Sequence, residues 1–126
     1  MKEFMLLIHN EGDSKAAFSP ELHDQFVTDC KIYIEGLQKN GNLISAQPLV
    51  REGKMLSGTP GTWQVGSYSE TTEVQVGYYH ILAKDIDDAI EIAKGNPEFA
   101  YTSTARIEVR PIKMKEESIA YTYPKG

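Results

Sequence analysis

The apolar positions of this chain fall into runs, stripes and alternations, and each kind predicts a different element. Phe4-Met5-Leu6-Leu7-Ile8 is a continuous apolar run that passes through His9 into the turn-forming cluster Asn10-Glu11-Gly12-Asp13. A run that short, closed by turn residues, predicts a buried central strand. Ser19-Pro20-Glu21 then opens a helix. The serine oxygen accepts from free first-turn amides, proline suits the first helical position, and glutamate complements the positive end of the helix dipole. Leu22, Phe26, Cys30, Tyr33, Ile34 and Leu37 follow at three- and four-residue spacing, so one stripe of this helix is expected to face a core. Asn40-Gly41-Asn42 stops it, with Gly41 as the left-handed cap.

Residues 43–50 predict a second strand, which Pro48 places toward a sheet edge. From 51 to 73 the pattern is weak and punctuated by glycine, and a hairpin carrying Met55-Leu56 and Trp63-Gln64-Val65 is expected there. Residues 76–83 form the third long strand. Asp85 caps a second helix whose buried stripe is Ile86, Ala89, Ile90 and Ala93, and Gly95-Asn96-Pro97 ends it. Residues 105–112 alternate Arg106, Glu108 and Arg110 with Ala105, Ile107 and Val109, the signature of a half-buried strand. The order is βαββαβ with an extra hairpin in the middle. It predicts an α+β, ferredoxin-like domain over residues 1–112, an antiparallel sheet with both helices on one face. The other face carries Tyr78 and Leu82 and needs a cover, for which a second copy of the chain is the expected partner, giving a homodimer. The tail, 113–126, has no core pattern but contains Ile119, Tyr121 and Tyr123, and is expected to pack on the partner subunit.

Composition narrows the function classes. The chain has 126 residues, enough for one domain with a real core. Thirteen basic against eighteen acidic residues leave a net charge of −5, which argues against a nucleic-acid partner, since phosphate contacts need clustered Lys and Arg. The longest apolar run is far short of the roughly 20 residues of a membrane span, so no membrane partner is expected. The start of the chain lacks the small-residue cleavage site of a signal peptide, and the expected location is cytoplasmic. A single cysteine allows no internal disulfide and no cysteine-built zinc site. His9, His23 and His80 lack a short ligand spacing and no glycine-rich phosphate loop is present, so neither metal nor cofactor is expected.

Val65-Gly66-Ser67-Tyr68-Ser69-Glu70-Thr71-Thr72-Glu73, leading into Gly77-Tyr78-Tyr79, resembles the signature of the YCII-related family, in the subgroup that reads Asp-Gly-Pro-Phe, then Glu-Thr and Glu, then Gly-Tyr-Tyr. Met5-Leu6-Leu7-Ile8, Ser19-Pro20-Glu21, Arg51-Glu52-Gly53-Lys54, Asp85-Ile86-Asp87-Asp88-Ala89 and Ile107-Glu108-Val109-Arg110-Pro111 extend the resemblance to about Ile112. It implies a dimeric α+β barrel, two ferredoxin-like sheets packed face to face around a pocket. For function it implies a small-molecule pocket and, in a few relatives, lyase- or isomerase-type chemistry on ring compounds through a His and an Asp. Here the family's helix histidine position is Cys30, the signature aspartate is Val65, and the aspartate after the second helix is Asn96. Residues 58–64 are similar to an insertion of about seven residues in the family spacing.

Histidine titrates near working pH, so His80 and His9 are the candidate acid–base residues. His80 shares its strand face with Tyr78 and is expected in an inter-sheet pocket; His9 ends the first strand. Cys30, Ser67, Tyr68, Glu70 and Tyr78 are the candidate ligand-binding residues: Cys30 by its family position, the others by their place in the signature loop and strand. Tyr79 is expected to be plain core. The reading is a homodimeric binder of an unidentified small molecule, with weak catalysis through His80 or His9. A cofactor-independent lyase or isomerase and a non-catalytic assembly subunit stand beside it.

Overall fold

The computed structural model describes residues 1–11, 15–68 and 73–124. Four strands form the main antiparallel sheet: β1 (Lys2–Glu11), β2 (Leu43–Pro48), β5 (Glu73–Ala83) and β6 (Arg106–Pro111), in the order β2-β5-β1-β6. The apolar run of β1 thus lies in the middle, paired with β5 on one side and β6 on the other. Helices α1 (Pro20–Lys39) and α2 (Ile86–Lys94) cross over on one face, which is the ferredoxin-like α+β arrangement. A hairpin of β3 (Lys54–Thr59) and β4 (Thr62–Ser67) stands apart from this sheet. A four-residue helix α3 (Glu98–Tyr101) follows α2, and the tail folds into the short strands β7 (Lys115–Glu116) and β8 (Tyr121–Thr122).

The helix boundaries form for the reasons the local sequence supplies. Ser19 Oγ accepts from the Leu22 amide at 3.1 Å, and Asp85 Oδ1 accepts from the Asp88 amide at 2.8 Å. Asp88 in turn accepts from the Lys84 amide at 2.9 Å, so the two aspartates hold the start of α2 from both sides. At the other end of α1 the chain turns through Gly41 with φ +75°, a conformation that favours glycine.

Alternation on β1 and β5 sorts the core. Phe4, Leu6 and Ile8, with Tyr79, Ile81 and Ala83, point to the helices and pack on Leu37 of α1 and on Ala89 and Ala93 of α2. A bulge opposite Ile8/His9 inserts Val76 and restores Gly77 to the helix-facing side. Gly77 is required by proximity: a Cβ there would lie 3.1 Å from the Gln47 carbonyl oxygen and 3.3 Å from Pro48 Cα.

Two expectations are corrected by the packing. Only the C-terminal half of α1 reaches the core: Leu37 is buried and Tyr33 and Ile34 pack beside it, whereas Leu22 and Val27 are exposed and Phe26 and Cys30 half-buried. The N-terminal half is held off the sheet by aromatic contacts with α3, where the Phe26 and Tyr101 rings meet edge-on at 5.0 Å and Tyr101 donates to Asp29 at 2.6 Å. The second is the stripe of α2: Ala89 and Ala93 are buried as expected, but Ile86 and Ile90 are exposed. Gly95 caps the end of α2, and Pro97 starts α3, since proline is compatible with the start of a helix.

Candidate functional site

The stand-off between α1 and the sheet encloses a cavity of about 820 Å³. One wall is the inner stripe of α1, with Phe26, Val27, Cys30 and Ile34; the other is the helix-facing side of the sheet, with Ala46, Val76 and Tyr79. Its volume suits a drug-sized molecule, and its walls are mostly apolar, as ligand sites generally are. Leu49 and Arg51 line it from the segment after β2, and His23 from the exposed first turn of α1.

Polar groups also line this cavity. Glu98, the first residue of α3, is buried, and Lys15 reaches it with Nζ 2.6 Å from Oε1. The Lys15 ammonium also lies 4.9 Å from the centre of the Phe26 ring, a cation–π contact that helps to seat it. Glu98 Oε1 accepts a second hydrogen bond from Asn10 Nδ2 at 2.8 Å. Asn10 is fully buried in β1 and saturated: it donates also to Thr102 (2.8 Å) and accepts from the Thr104 hydroxyl (2.6 Å) and the Glu11 amide (2.9 Å). A buried carboxylate persists because a cation and a neutral donor both face it.

Asn96 and Tyr79 complete this set. Asn96 Oδ1 accepts from the Glu98 amide at 2.9 Å, which turns Nδ2 the other way. Nδ2 is buried and makes no hydrogen bond of full geometry, although it acts on the Tyr79 hydroxyl oxygen and partly favours its ionised form. Burial outweighs this and, with the Cys30 and Glu98 charges, pushes the Tyr79 phenol up to about 12. The Cys30 thiol is likewise pushed up to about 11, first by burial and then by Glu98, with Lys15 offsetting part of the rise. Both side chains are therefore protonated donors at neutral pH. A thiol in this state is a poor nucleophile.

A model of the YCII-related domain matches residues 2–113 of the chain. The chain belongs to the YCII-related family. No curated protein matches the chain. In this YCII-related chain Cys30 and Asn96, the positions where relatives are expected to carry a histidine and an aspartate, line the same cavity. Both have neutral side chains here, and a buried carboxylate comes instead from Glu98, two residues beyond Asn96.

The other expected site residues lie elsewhere. His80, Tyr78 and His9 point to the opposite side of the sheet from Tyr79, Ile81 and Ile8, so they do not converge with Cys30. His80 Nε2 is 2.8 Å from Glu3 Oε1, and His9 Nε2 is 3.1 Å from Glu108 Oε1. Glu73 is 3.6 Å from His9 Nδ1 and is also held by Arg106 at 2.6 Å, whose hydrogen bond keeps the Glu73 carboxyl below its usual range. Tyr68 anchors the base of the hairpin: its hydroxyl accepts from the Gln75 amide at 3.1 Å and its amide donates to the Gly53 carbonyl at 3.3 Å. Ser67 is the exposed last residue of β4, opposite Lys54. Glu70 lies outside the described residues. Val65, at the signature aspartate position, is an exposed hairpin residue facing Leu56.

Lys15, Glu98, Asn10 and the Tyr79 hydroxyl were not indicated by the sequence patterns. The one available signal was Asn96, through its family position. Among the described residues, no group of His, Cys, Asp and Glu is arranged to hold a metal ion. No helix of the described residues is long and apolar enough to cross a membrane.

Proposed function

We propose that this YCII-related protein binds a small molecule in the cavity between α1 and the sheet. The observation that carries this reading is an apolar-walled cavity of about 820 Å³ whose lining also includes the buried Glu98 paired with Lys15 and the donors of Asn96, Tyr79 and Cys30. A cavity lined only by side chains that pack the domain has no use for that polar set, whereas orientation of a ligand does. The same groups argue for binding over catalysis. Glu98 is occupied by Lys15 and Asn10, and Cys30 holds its proton, so neither is a ready base or nucleophile at neutral pH. In this reading His80 and His9 belong to a second surface. That face carries half-buried Met5, Leu7, Tyr78 and Leu82 around the His80–Glu3 pair and is the proposed seat of a second copy.

The cavity is tested with a neutral environment-sensitive dye, phenylnaphthylamine, titrated into the full chain. Val27, exposed at the cavity wall, tolerates enlargement, and Val27→Trp should lower dye affinity at least about fivefold while leaving the melting temperature near that of the parent. Equal dye binding by the parent and Val27→Trp would refute the assignment. The second surface is tested by sedimentation: Leu7→Glu should shift a dimer to monomer, and a monomeric parent chain would refute it.

A further inference from the structure

Two ion pairs lie at the cavity. Lys15 is 2.6 Å from Glu98, and on the outer turns of α1 Lys31 lies 4.0 Å from Glu35. Beside these pairs and Arg51, three neutral groups on the facing walls are donors. Asn96 Nδ2 is buried within a residue only 4% exposed and has no acceptor of full geometry. The Tyr79 hydroxyl, which receives the influence of that amide, donates to no described residue. Cys30, on the facing helix, adds a weak S–H donor. A buried donor that lacks an acceptor is an unfavourable arrangement that an acceptor brought by a ligand relieves. A site built of donors rejects a molecule with no acceptor more strongly than an apolar pocket rejects a change of size.

We infer that the cavity selects a neutral carbonyl compound, whose oxygen accepts from the Tyr79 hydroxyl with the Asn96 amide behind it, and whose apolar body lies along Phe26, Val27 and Ile34. This rests on the reading of the cavity as a small-molecule site. Asn96 is a positioning residue in this arrangement: its Nδ2 donates toward the Tyr79 oxygen and leaves the phenolic proton free to point at the ligand. A carboxylate ligand is disfavoured, because the nearest ammonium is already committed to Glu98 and the new charge would stand close to that carboxylate.

The test uses the full chain and three competitors of one skeleton, each displacing phenylnaphthylamine: benzophenone with a carbonyl, diphenylmethane with a methylene in its place, and benzoylbenzoate with an added carboxylate. Benzophenone should displace the dye at about tenfold lower concentration than diphenylmethane, and the carboxylate should be the weaker of the two ketones. In Tyr79→Phe the ratio of ketone to hydrocarbon should fall to about one, and in Asn96→Leu it should fall part of the way. The ratio is the readout because a general loosening of the cavity affects both competitors alike. An equal response to ketone and hydrocarbon in the parent chain overturns the inference and leaves the cavity assignment standing. So does preference for the carboxylate, which would make Arg51 the reader of the ligand. Failure of all three to displace the dye, with Val27→Trp also without effect, removes the cavity assignment and this inference with it.

Discussion

Lys15→Met should destabilise the protein more than any neutralisation of Glu98, and the structure sets the size of the difference. Glu98 is 5% exposed, and its charge is balanced by Lys15 Nζ at 2.6 Å and one neutral donor, Asn10, at 2.8 Å. Removing one partner of a fully buried ion pair costs about 3–5 kcal/mol, because the remaining charge is stranded. Lys15 keeps about a quarter of its side chain in solvent, at 26%, and Asn10 stays in place, so the loss falls somewhat below that range, about 2–3 kcal/mol. Methionine preserves the contact with Phe26, so little of this loss is packing. Glu98→Gln keeps the shape and the Asn10 bond, and the freed Lys15 is able to extend toward water; about 1 kcal/mol is expected. The double variant should resemble Glu98→Gln alone, which gives a coupling energy of about 2 kcal/mol. At this chain length 1 kcal/mol is worth about 3–5 °C, so Lys15→Met should melt about 6–15 °C below the parent. Urea denaturation and thermal scans at pH 7 on the four proteins measure the cycle. A Lys15→Met variant within about 0.5 kcal/mol of the parent, or strict additivity, would refute the account of Glu98 as a buried charge held by its partner.

The Cys30 thiol, raised from 9.0 to about 11, should titrate by thiolate absorbance near the higher value, and at pH 8 iodoacetamide should label it about a hundredfold more slowly in the folded than in the urea-unfolded chain. The folded state holds this proton more tightly, so its stabilising contribution is present below pH 9 and fades as pH rises toward 11; a native value at or below 9 counts against the burial argument. Gly77→Val places atoms against the backbone of Gln47 and Pro48, and a loss of about 1–3 kcal/mol in urea is expected, with amide exchange rising first in β2. Unchanged protection there would show that β2 gives way without cost. Asp85→Ala removes the 2.8 Å cap at the start of α2 and should lower stability by about 1 kcal/mol, whereas Asp85→Ser should recover most of it.

What the sequence made legible is local. Ser19, Gly41 and Asp85 fixed the helix ends through side-chain and backbone chemistry confined to a few residues. The run 4–8 gave the central strand: Phe4, Leu6 and Ile8 are buried under the helices, and Met5 and Leu7 are half-buried on the other face between flanking strands. The cavity was not legible in this way. Its polar set joins β1 to α3 across 88 residues, and a buried Asn10 looks in sequence like a turn former until Glu98, Thr102 and Thr104 are seen to satisfy it. Tyr79 was correctly placed on the core face, but period-two alternation reports the side a residue points to, not where its hydroxyl ends. The α1 stripe predicted which residues face inward and was silent on distance. The stand-off that makes room for a ligand comes from the Phe26–Tyr101 contact, which no local pattern encodes. Cys30 and Asn96 were reached only through the family resemblance.

The β3–β4 hairpin has every residue exposed, with Met55, Leu56, Trp63 and Val65 more than half in solvent; it turns at Pro60-Gly61, and none of its residues lines the cavity. Its closing energy comes from the turn and its own cross-strand pairs, such as Leu56 with Val65, and almost none from the core. The domain is therefore expected to have two folding units of unequal weight: a cooperative body, and an arm that opens without it. Loop insertions at Pro60-Gly61 should leave the urea midpoint of the body where it is, which makes this turn the natural point at which to graft a reporter or a second domain onto the protein.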